Sequence, residues 1–190
     1  MKTILISLRV FLVMTVLTGI AYPLFITAIG QSLFHRKANG SLIRKDGKVI
    51  GSELIGQTYD STRYFWSRPS AIEYNPVPSG GSNLGPTSKK LKDQVDIRKQ
   101  EFASANNLKS INQIPAEMVF ASGSGLDPHI SVRAALLQVN RIARVRNFNA
   151  SQKQSLLDLI AEKTESPQFM LLGEQRINVL MLNLDLDKIK

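Results

Sequence analysis

The stretch that decides the fold is VFLVMTVLTGIAYPLFITAIGQSLF, residues 10–34, in which no side chain is charged. Arg9 precedes it, and a basic His-Arg-Lys run begins at His35. Roughly 20 apolar residues, each rising about 1.5 Å along a helix, cross the ~30 Å hydrocarbon core of a bilayer. We therefore predict one transmembrane helix over residues 10–34, a short basic tail over residues 1–9 and a soluble domain over residues 35–190.

A cleaved signal peptide is the main alternative to a retained anchor. Lys2 and Arg9 make a short basic leader, and Ala28-Ile29-Gly30 has the small residues that a signal peptidase prefers. The apolar run is longer than the roughly 7–15 residues of a usual signal core, so we expect the helix to be retained. A lipoprotein is excluded because the chain contains no cysteine.

Pro23 lies inside the predicted span. A proline removes one backbone hydrogen bond of the helix, and we expect it to kink the helix. The distribution of charge does not decide which side of the membrane holds the domain. More basic residues follow the span than precede it, which by count favours the cytoplasm, but long domains cross membranes largely regardless of charge.

Composition narrows the classes of function. The net charge is +9, which suits anionic lipid or an acidic protein partner, and the membrane span argues against a partner that is nucleic acid. The absence of cysteine excludes disulfides, thiolate zinc sites and cysteine nucleophiles.

The soluble part combines short strands, helices and one long irregular loop, which predicts an α+β domain. The loop is rich in proline and glycine, and so long a loop in a compact domain is usually functional. The predicted elements are a hairpin over residues 41–57 that turns at Asp46-Gly47, the loop over 68–86, a helix over 88–106, a helix capped by Asp127 and Ser131, a helix over 151–163 capped by Ser151, and a buried strand over 176–186.

The sequence lacks three well-known motifs of catalytic and nucleotide-binding proteins. The sequence has no phosphate-binding loop of the G-x-x-x-x-G-K-[ST] type, no G-x-G-x-x-G fingerprint and no Asp-Lys-Thr-Gly motif of the kind that P-type ATPases phosphorylate. A membrane-anchored serine hydrolase would have to use Ser122 or Ser124 with Asp127 and His129. No G-x-S-x-G elbow surrounds either serine, so a Gly-Ser turn before a helix is favoured. We predict neither a catalytic nor a metal site.

A second glycine-rich segment, Ser79 to Gly85, has the composition of an anion-binding nest, because glycines let backbone N–H groups approach a phosphate. Most such strings are only turns. The candidate nucleotide or interface residues of this segment are Ser79, Gly80, Gly81, Ser82, Asn83 and Gly85.

Four segments together resemble one family. They are YFWSRPSA (64–71), SGGSNLGP (79–86), ASGSGLDPHIS (121–131) and GEQRINVL (173–180). Their order and the anchor resemble, nearly end to end, the C subunit of the Kdp potassium-transporting ATPase of bacteria and archaea. Gln175 and Val132 stand where that family often has proline, and neither position lies in a glycine-rich loop.

The resemblance implies a non-catalytic accessory subunit of a potassium uptake complex in the bacterial inner membrane. Its implied partners are a channel-like potassium-translocating subunit, a P-type ATPase subunit and a small single-span subunit. The family is described as a catalytic chaperone that raises ATP affinity, with ATP attributed to the Ser-Gly-Gly loop. The candidate interface residues are Trp66, Arg68, Ser122, Gly123, Ser124, Gly125, Asp127 and His129.

The resemblance also implies that the soluble domain lies outside the cytoplasm. A domain outside cannot hold cytoplasmic ATP, so we expect no firmly bound cofactor and an indirect effect on ATP affinity through the complex.

Overall fold

The computed structural model describes residues 2–189. The chain divides into two compact units, one that ends at Ser52 and one that begins at Glu53. We describe each unit by itself.

The first unit is dominated by one long apolar helix. It consists of α1 (Lys2–Val16), a π-helical turn (Leu17–Ala21) and α2 (Tyr22–Leu33). Together these segments form a helix of 32 residues, long and apolar enough to cross a membrane. Residues 2–9, which the sequence analysis assigned to a basic tail, are the first turns of this helix.

The π-helical turn explains how the helix accommodates Pro23. Proline has no N–H to donate to the carbonyl four residues earlier, which here belongs to Gly19. Just before the proline, the Tyr22 N–H donates instead to the Leu17 carbonyl, five residues back. The structure thus has a local π turn just before Pro23, a common way of absorbing an irregularity, and the predicted kink stays a prediction.

The rest of the first unit is a short helix α3 (His35–Ala38) and a hairpin of β1 (Leu42–Lys45) and β2 (Lys48–Ser52). Asp46 and Gly47 form its turn, with φ angles of 51° and 77°. Both angles are left-handed, the conformation that a tight hairpin turn requires and that Asp-Gly adopts readily. The predicted hairpin is confirmed over residues 42–52, and residues 53–57, which the prediction included, lie outside it.

Over residues 53–189 the second unit contains four α-helices and one small sheet. The helices are α4 (Lys89–Asn106), α5 (Val132–Val145), α6 (Ala150–Glu162) and α7 (Val179–Leu186). The strands β3 (His129–Ile130), β4 (Thr164–Glu165) and β5 (Arg176–Asn178) pair antiparallel in the order β3-β5-β4. Single 3-10 turns lie at Ile111–Gln113 and Ala116–Met118. This mixture confirms the α+β class.

Helix α5 lies at the centre of the core. It contacts α4, α6 and β5, and its face of small residues, including Ala134 and Ala135, allows close approach. Around it the core is formed by buried apolar side chains from the four helices of this unit and from its sheet. Phe65, in the irregular segment before the long loop, is fully buried in the same core.

Two of the three predicted helix starts are confirmed. The Ser88 hydroxyl accepts a hydrogen bond from the Leu91 N–H, and the Ser131 hydroxyl accepts one from the Ala134 N–H at 3.1 Å. The third is wrong. Helix α6 is capped by Asn149, whose side chain and that of Gln152 form a reciprocal capping box.

The predicted strand over residues 176–186 is also wrong in most of its length. Only Arg176–Asn178 is a strand, and the chain then turns into α7. The Asn178 side chain accepts a hydrogen bond from the Met181 N–H and so caps this helix. A short, continuous apolar run does not distinguish a buried strand from a buried helix, and here the cap decides.

Two amide side chains fix the aromatic segment that precedes the long loop. Asn183 accepts a hydrogen bond from the Phe65 N–H at 2.8 Å and donates one to the Phe65 carbonyl at 3.0 Å. Gln138 accepts one from the Trp66 N–H at 2.7 Å. Because Asn183 and Gln138 are buried on helices, residues 65–66 are held firmly, and they position Arg68 two residues further on.

Candidate functional site

The two glycine-rich loops, residues 79–85 and 121–125, lie against each other through their backbones. We call them the paired glycine loops. The Gly80 N–H donates to the Ser124 carbonyl at 3.0 Å. A Cβ atom at Gly81 would lie 3.1 Å from the Gly123 carbonyl oxygen. The glycines therefore permit a close approach of one loop to the other.

Gly125 is the most constrained glycine of the pair. Its φ angle is +70°, and a Cβ atom there would lie 2.5 Å from Ile72 and 2.8 Å from the Gly80 carbonyl oxygen. Its own carbonyl accepts a hydrogen bond from the Ser70 hydroxyl at 2.8 Å. No residue with a side chain fits this position without displacing its neighbours.

The base of the long loop is fixed by Tyr74. Its hydroxyl donates to the Arg68 carbonyl at 2.7 Å, and its ring lies where a Cβ atom at Gly56 would be. Burial raises the pKa of Tyr74 to about 12. The Gly56 N–H donates to the Leu126 carbonyl at 2.8 Å. The long loop is thus held in place by specific hydrogen bonds, as an ordered binding loop requires.

Arg68, Asp127 and His129 form one polar cluster beside the loops. Arg68 Nη1 lies 2.6 Å from Asp127 Oδ2, and His129 Nδ1 lies 3.2 Å from Asp127 Oδ1. The His129 backbone N–H also donates to Asp127 Oδ1 at 3.0 Å. Burial acts to raise the pKa of Asp127, but the hydrogen bonds from His129 and the charge of Arg68 outweigh it and lower the pKa to about 2. Asp127 organises this cluster, and Ser131 alone caps α5.

The lowered pKa of Asp127 predicts a specific loss of stability in acid. The ordinary pKa of an aspartate is 3.8. The ionised carboxylate therefore stabilises the folded state fully above about pH 4, and this stabilisation is lost as the pH falls through 2. A difference of this size corresponds to about 2 kcal/mol in the free energy of unfolding. We expect Asp127→Asn to be less stable than wild type by roughly that amount at pH 6 and by much less near pH 2.

The measurement is urea unfolding of the full chain in detergent at pH 6, 4, 3 and 2. Asp96→Asn is the matched control, because Asp96 is exposed on α4. A constant difference between Asp127→Asn and wild type at every pH would show that this carboxylate does not carry the effect.

The polar cluster forms one wall of an open cleft of about 790 Å³. Besides the three clustered residues, the charged side chains that line it are Glu117, Arg133, Glu174 and Arg176. Arg68 Nε and Glu117 Oε1 are both buried and have no hydrogen-bond partner within residues 2–189. Both ends of the segment that joins β4 to β5, residues 166–168 and 172–175, also line the cleft.

The structure brings most of the predicted site residues together. Gly80, Gly81, Gly123, Ser124 and Gly125 meet where the paired glycine loops touch, and Arg68, Asp127 and His129 lie in the adjacent cluster. The remaining residues of the first loop, Ser79, Ser82, Asn83 and Gly85, are exposed.

Ser122 and Trp66 lie apart from the exposed loop surface. Ser122 is buried. Trp66 is half-buried, with Arg141 lying 4.7 Å from the centre of its ring. Whether these residues serve a nucleotide or a protein interface stays a prediction.

The serine hydrolase geometry is not formed within the part of the chain that the structure describes. The His129 ring contacts Asp127, and the Ser124 hydroxyl accepts a hydrogen bond from the Leu126 N–H at 3.1 Å. No described hydrogen bond joins His129 to either serine. In the same residues, no group of three or more histidine and acidic side chains could hold a metal ion.

Sequence reasoning missed the segment between β4 and β5, whose two ends line the cleft. The sequence does contain a sign of an exposed apolar turn there, because Phe169 to Leu172 is a run of large apolar residues between Pro167 and Gly173. Proline and glycine mark such a run as a turn, where large apolar side chains become exposed.

Comparison with known proteins places the chain in one family. Residues 4–188 match the family model for KdpC, described as the c chain of K+-transporting ATPase. The "Potassium-transporting ATPase KdpC subunit" of Methylococcus capsulatus is 49% identical over 187 residues, covering 97% of this chain and 96% of that protein. The proteins of the same name in Paraburkholderia phytofirmans and Burkholderia ambifaria are 47% and 48% identical, over 95% and 98% of this chain and 94% and 97% of theirs. The chain belongs to the KdpC family, the c chains of K+-transporting ATPases.

Proposed function

We propose that this protein is a non-catalytic accessory subunit of a high-affinity, ATP-driven potassium uptake complex in a bacterial inner membrane. It assembles and stabilises the complex and raises the ATP affinity of the ATPase subunit, as a catalytic chaperone does. Its partners are a channel-like potassium-translocating subunit, a P-type ATPase subunit and a small single-span subunit. Membership of the KdpC family supports the potassium transport part of this proposal.

The observation that carries the accessory role is the contact between the paired glycine loops. Gly81 and Gly125 face the other loop, where a side chain would collide with its backbone. The Gly80 N–H, which a phosphate nest would use, is already bonded to the Ser124 carbonyl. A phosphate cradle needs several free N–H groups directed at one point. The loops therefore support a rigid binding surface better than a direct nucleotide site.

The effect on ATP is then indirect. Binding of this subunit to the complex and binding of ATP to the ATPase subunit are coupled if both favour the same state of the complex. Coupling of this kind is reciprocal and typically changes an affinity by roughly 5- to 150-fold. It does not require the soluble domain to meet ATP, so it agrees with a domain outside the cytoplasm.

Single cysteines test the side of the membrane. Ser104 and Ser151 are exposed in the second unit, and the chain has no cysteine of its own. We expect Ser104→Cys and Ser151→Cys to be labelled in intact cells by a membrane-impermeant maleimide that is small enough to cross an outer membrane. Labelling only after the inner membrane is permeabilised would place the domain inside and overturn this part of the proposal.

The assembly role is tested with the complex purified from its native membrane. We expect the chain to co-purify with an ATPase subunit and a polytopic channel-like subunit, and we expect the KM for ATP to rise when the chain is absent. Purification of the wild-type chain as a lone monomer contradicts assembly. Saturable binding of ATP by the full chain alone, lost in Gly81→Asp, contradicts the indirect effect.

A further inference from the structure

Four consecutive apolar side chains protrude from the segment between β4 and β5. Phe169, Met170, Leu171 and Leu172 are 87%, 86%, 84% and 63% exposed. We call these residues the apolar tip. Large apolar side chains are scattered singly over most protein surfaces, whereas a contiguous group marks a binding surface. The tip lies in the second unit, outside the membrane-spanning helix.

The backbone of the apolar tip is well defined. Gln168 and Leu172 exchange two backbone hydrogen bonds, both of 2.9 Å, and the Leu171 N–H donates to the Gln168 carbonyl at 3.1 Å. The two central residues, Phe169 and Met170, have φ angles of 54° and 60°. This is the left-handed pattern of a tight hairpin turn, which strongly favours Asn, Asp and Gly.

The hairpin in the first unit shows the usual solution. Its turn residues, Asp46 and Gly47, have φ angles of 51° and 77°, so there two successive left-handed φ angles are adopted by preferred residues. Phe169 and Met170 adopt it against their own preference and expose their side chains as well. Two unfavourable features in one short turn, strain and apolar exposure, point to a function for these side chains.

The surroundings of the apolar tip have the composition of a protein interface. At its base, Arg176 and Glu165 form an ion pair with an Nε–Oε2 distance of 2.9 Å. Leu172 also lines the open cleft beside the polar cluster, as do Gln168 and Gly173. An apolar centre with a charged border is the usual anatomy of an interface between two proteins, in which Phe and Met are enriched.

A lipid bilayer fits the apolar tip less well. Loops and helices that lie in the membrane interface combine apolar residues with Lys or Arg and often with Trp or Tyr. From Pro167 to Gln175 the segment contains none of these four residue types, and its one charged residue is Glu174. Anionic lipid headgroups would repel that charge.

We propose that the apolar tip inserts into an apolar pocket on another subunit of the potassium-transporting complex, and that a polar segment of the same subunit lies in the adjacent cleft. This inference rests on the proposed function, since it requires the chain to assemble with other subunits. The partner surface has a pocket for two or three large side chains, with charged groups around it that complement Arg133, Glu174 and Arg176.

The central test replaces the turn residues by the preferred pair, Phe169→Asn together with Met170→Gly. The expected effects on stability and assembly have opposite signs. The full chain in detergent should gain thermal stability, with Tm higher by roughly 2–4 °C, because the strain is relieved. Its association with the other subunits should weaken by at least about tenfold, because anchors in the centre of an interface carry most of the binding energy.

Two further variants make the result specific. Leu171→Ser removes one apolar side chain without altering the two strained residues, and it should weaken association while leaving Tm unchanged. Ile97→Ser is the matched control, because Ile97 is an exposed apolar residue on α4. This variant should change neither the association with the other subunits nor Tm.

A photo-crosslinker at position 170 in native membranes identifies the partner. An adduct with another subunit of the complex, absent when the crosslinker is at position 97, is the expected result. Crosslinking to lipid alone, or an undiminished association of both tip variants, overturns the inference and leaves the proposed function intact. If the wild-type chain itself fails to co-purify with the complex, the proposed function fails first.

Discussion

Replacement of Arg141 by methionine should lower the free energy of unfolding by about 3–5 kcal/mol, because it removes the hydrogen bonds of a buried guanidinium and takes the donor away from the buried Asn106 Oδ1. Arg141 is 1% exposed, and within residues 2–189 no carboxylate is among its hydrogen-bond partners. Its guanidinium donates to the Thr62 carbonyl at 2.5 Å, to Asn106 Oδ1 at 3.0 Å and to Gln138 Oε1 at 2.7 Å. Burial lowers its pKa to about 10, which still leaves it charged at neutral pH.

The planar fork of arginine is what satisfies these acceptors together. Arg141→Lys should therefore also be destabilised, since one ammonium group cannot reach all three in the same plane. Arg144→Met is the control: Arg144 is exposed on the same helix, and its side chain makes one long hydrogen bond of 3.4 Å. We expect that variant to lie within about 1 kcal/mol of wild type.

Urea unfolding of the full chain in detergent measures these differences. The chain contains one tryptophan, Trp66, and Arg141 lies 4.7 Å from the centre of its ring, so tryptophan fluorescence reports on this site directly. A loss of less than about 1 kcal/mol for Arg141→Met would mean that the buried cation costs nearly as much as its hydrogen bonds contribute.

Substitution of Gly125 should separate the paired glycine loops. Gly125→Ala places a Cβ atom 2.8 Å from the Gly80 carbonyl oxygen and imposes a left-handed φ angle of +70° on alanine. The strain and the overpacking together predict a loss of about 2–4 kcal/mol in the free energy of unfolding. Gly81→Ala should be destabilised less, because its Cβ atom would lie 3.1 Å from the Gly123 carbonyl oxygen.

Gly123→Ala is the control for this series, since within residues 2–189 no atom other than those of its two chain neighbours would lie within 4 Å of its Cβ atom. Urea unfolding and the rate of limited proteolysis within residues 68–86 should both show the largest destabilisation for Gly125→Ala. Gly81→Ala should show a smaller one and Gly123→Ala the smallest. If the loops serve assembly, co-purification with the other subunits should weaken in the same order. Equal effects of Gly125→Ala and Gly123→Ala would contradict a role for the contact between the loops.

The sequence alone determined the elements whose signals are local. A long uncharged apolar run predicts a membrane span because of bilayer thickness, and the structure has one helix there, from Lys2 to Leu33. Asp46-Gly47 predicts a hairpin, and Ser131 predicts a helix start, because the residue types themselves favour those backbone angles and hydrogen bonds. The four family segments likewise predicted the family that the comparisons then showed.

Local signals failed where neighbouring residues competed. Asn149 and Ser151 are both good capping residues, and the reciprocal bond with Gln152 selects Asn149. The apolar run from Arg176 to Leu186 suits a buried strand or a buried helix equally. Pairing of Ile177 with Ile130 and Thr164 makes its beginning a strand, and the Asn178 cap makes the rest a helix.

Only the tertiary structure decided how the candidate site is built. Asn183 binds the backbone of Phe65 across 118 positions of sequence, and Arg68 reaches Asp127 across 59. Such contacts depend on the whole core that surrounds α5, and no short stretch of sequence encodes them. The glycines of the two loops look alike in sequence, but their close approach exists only after that core has brought the loops together. The strain at Phe169 and Met170 is likewise a property of the folded backbone, because the residue types alone predict a different conformation.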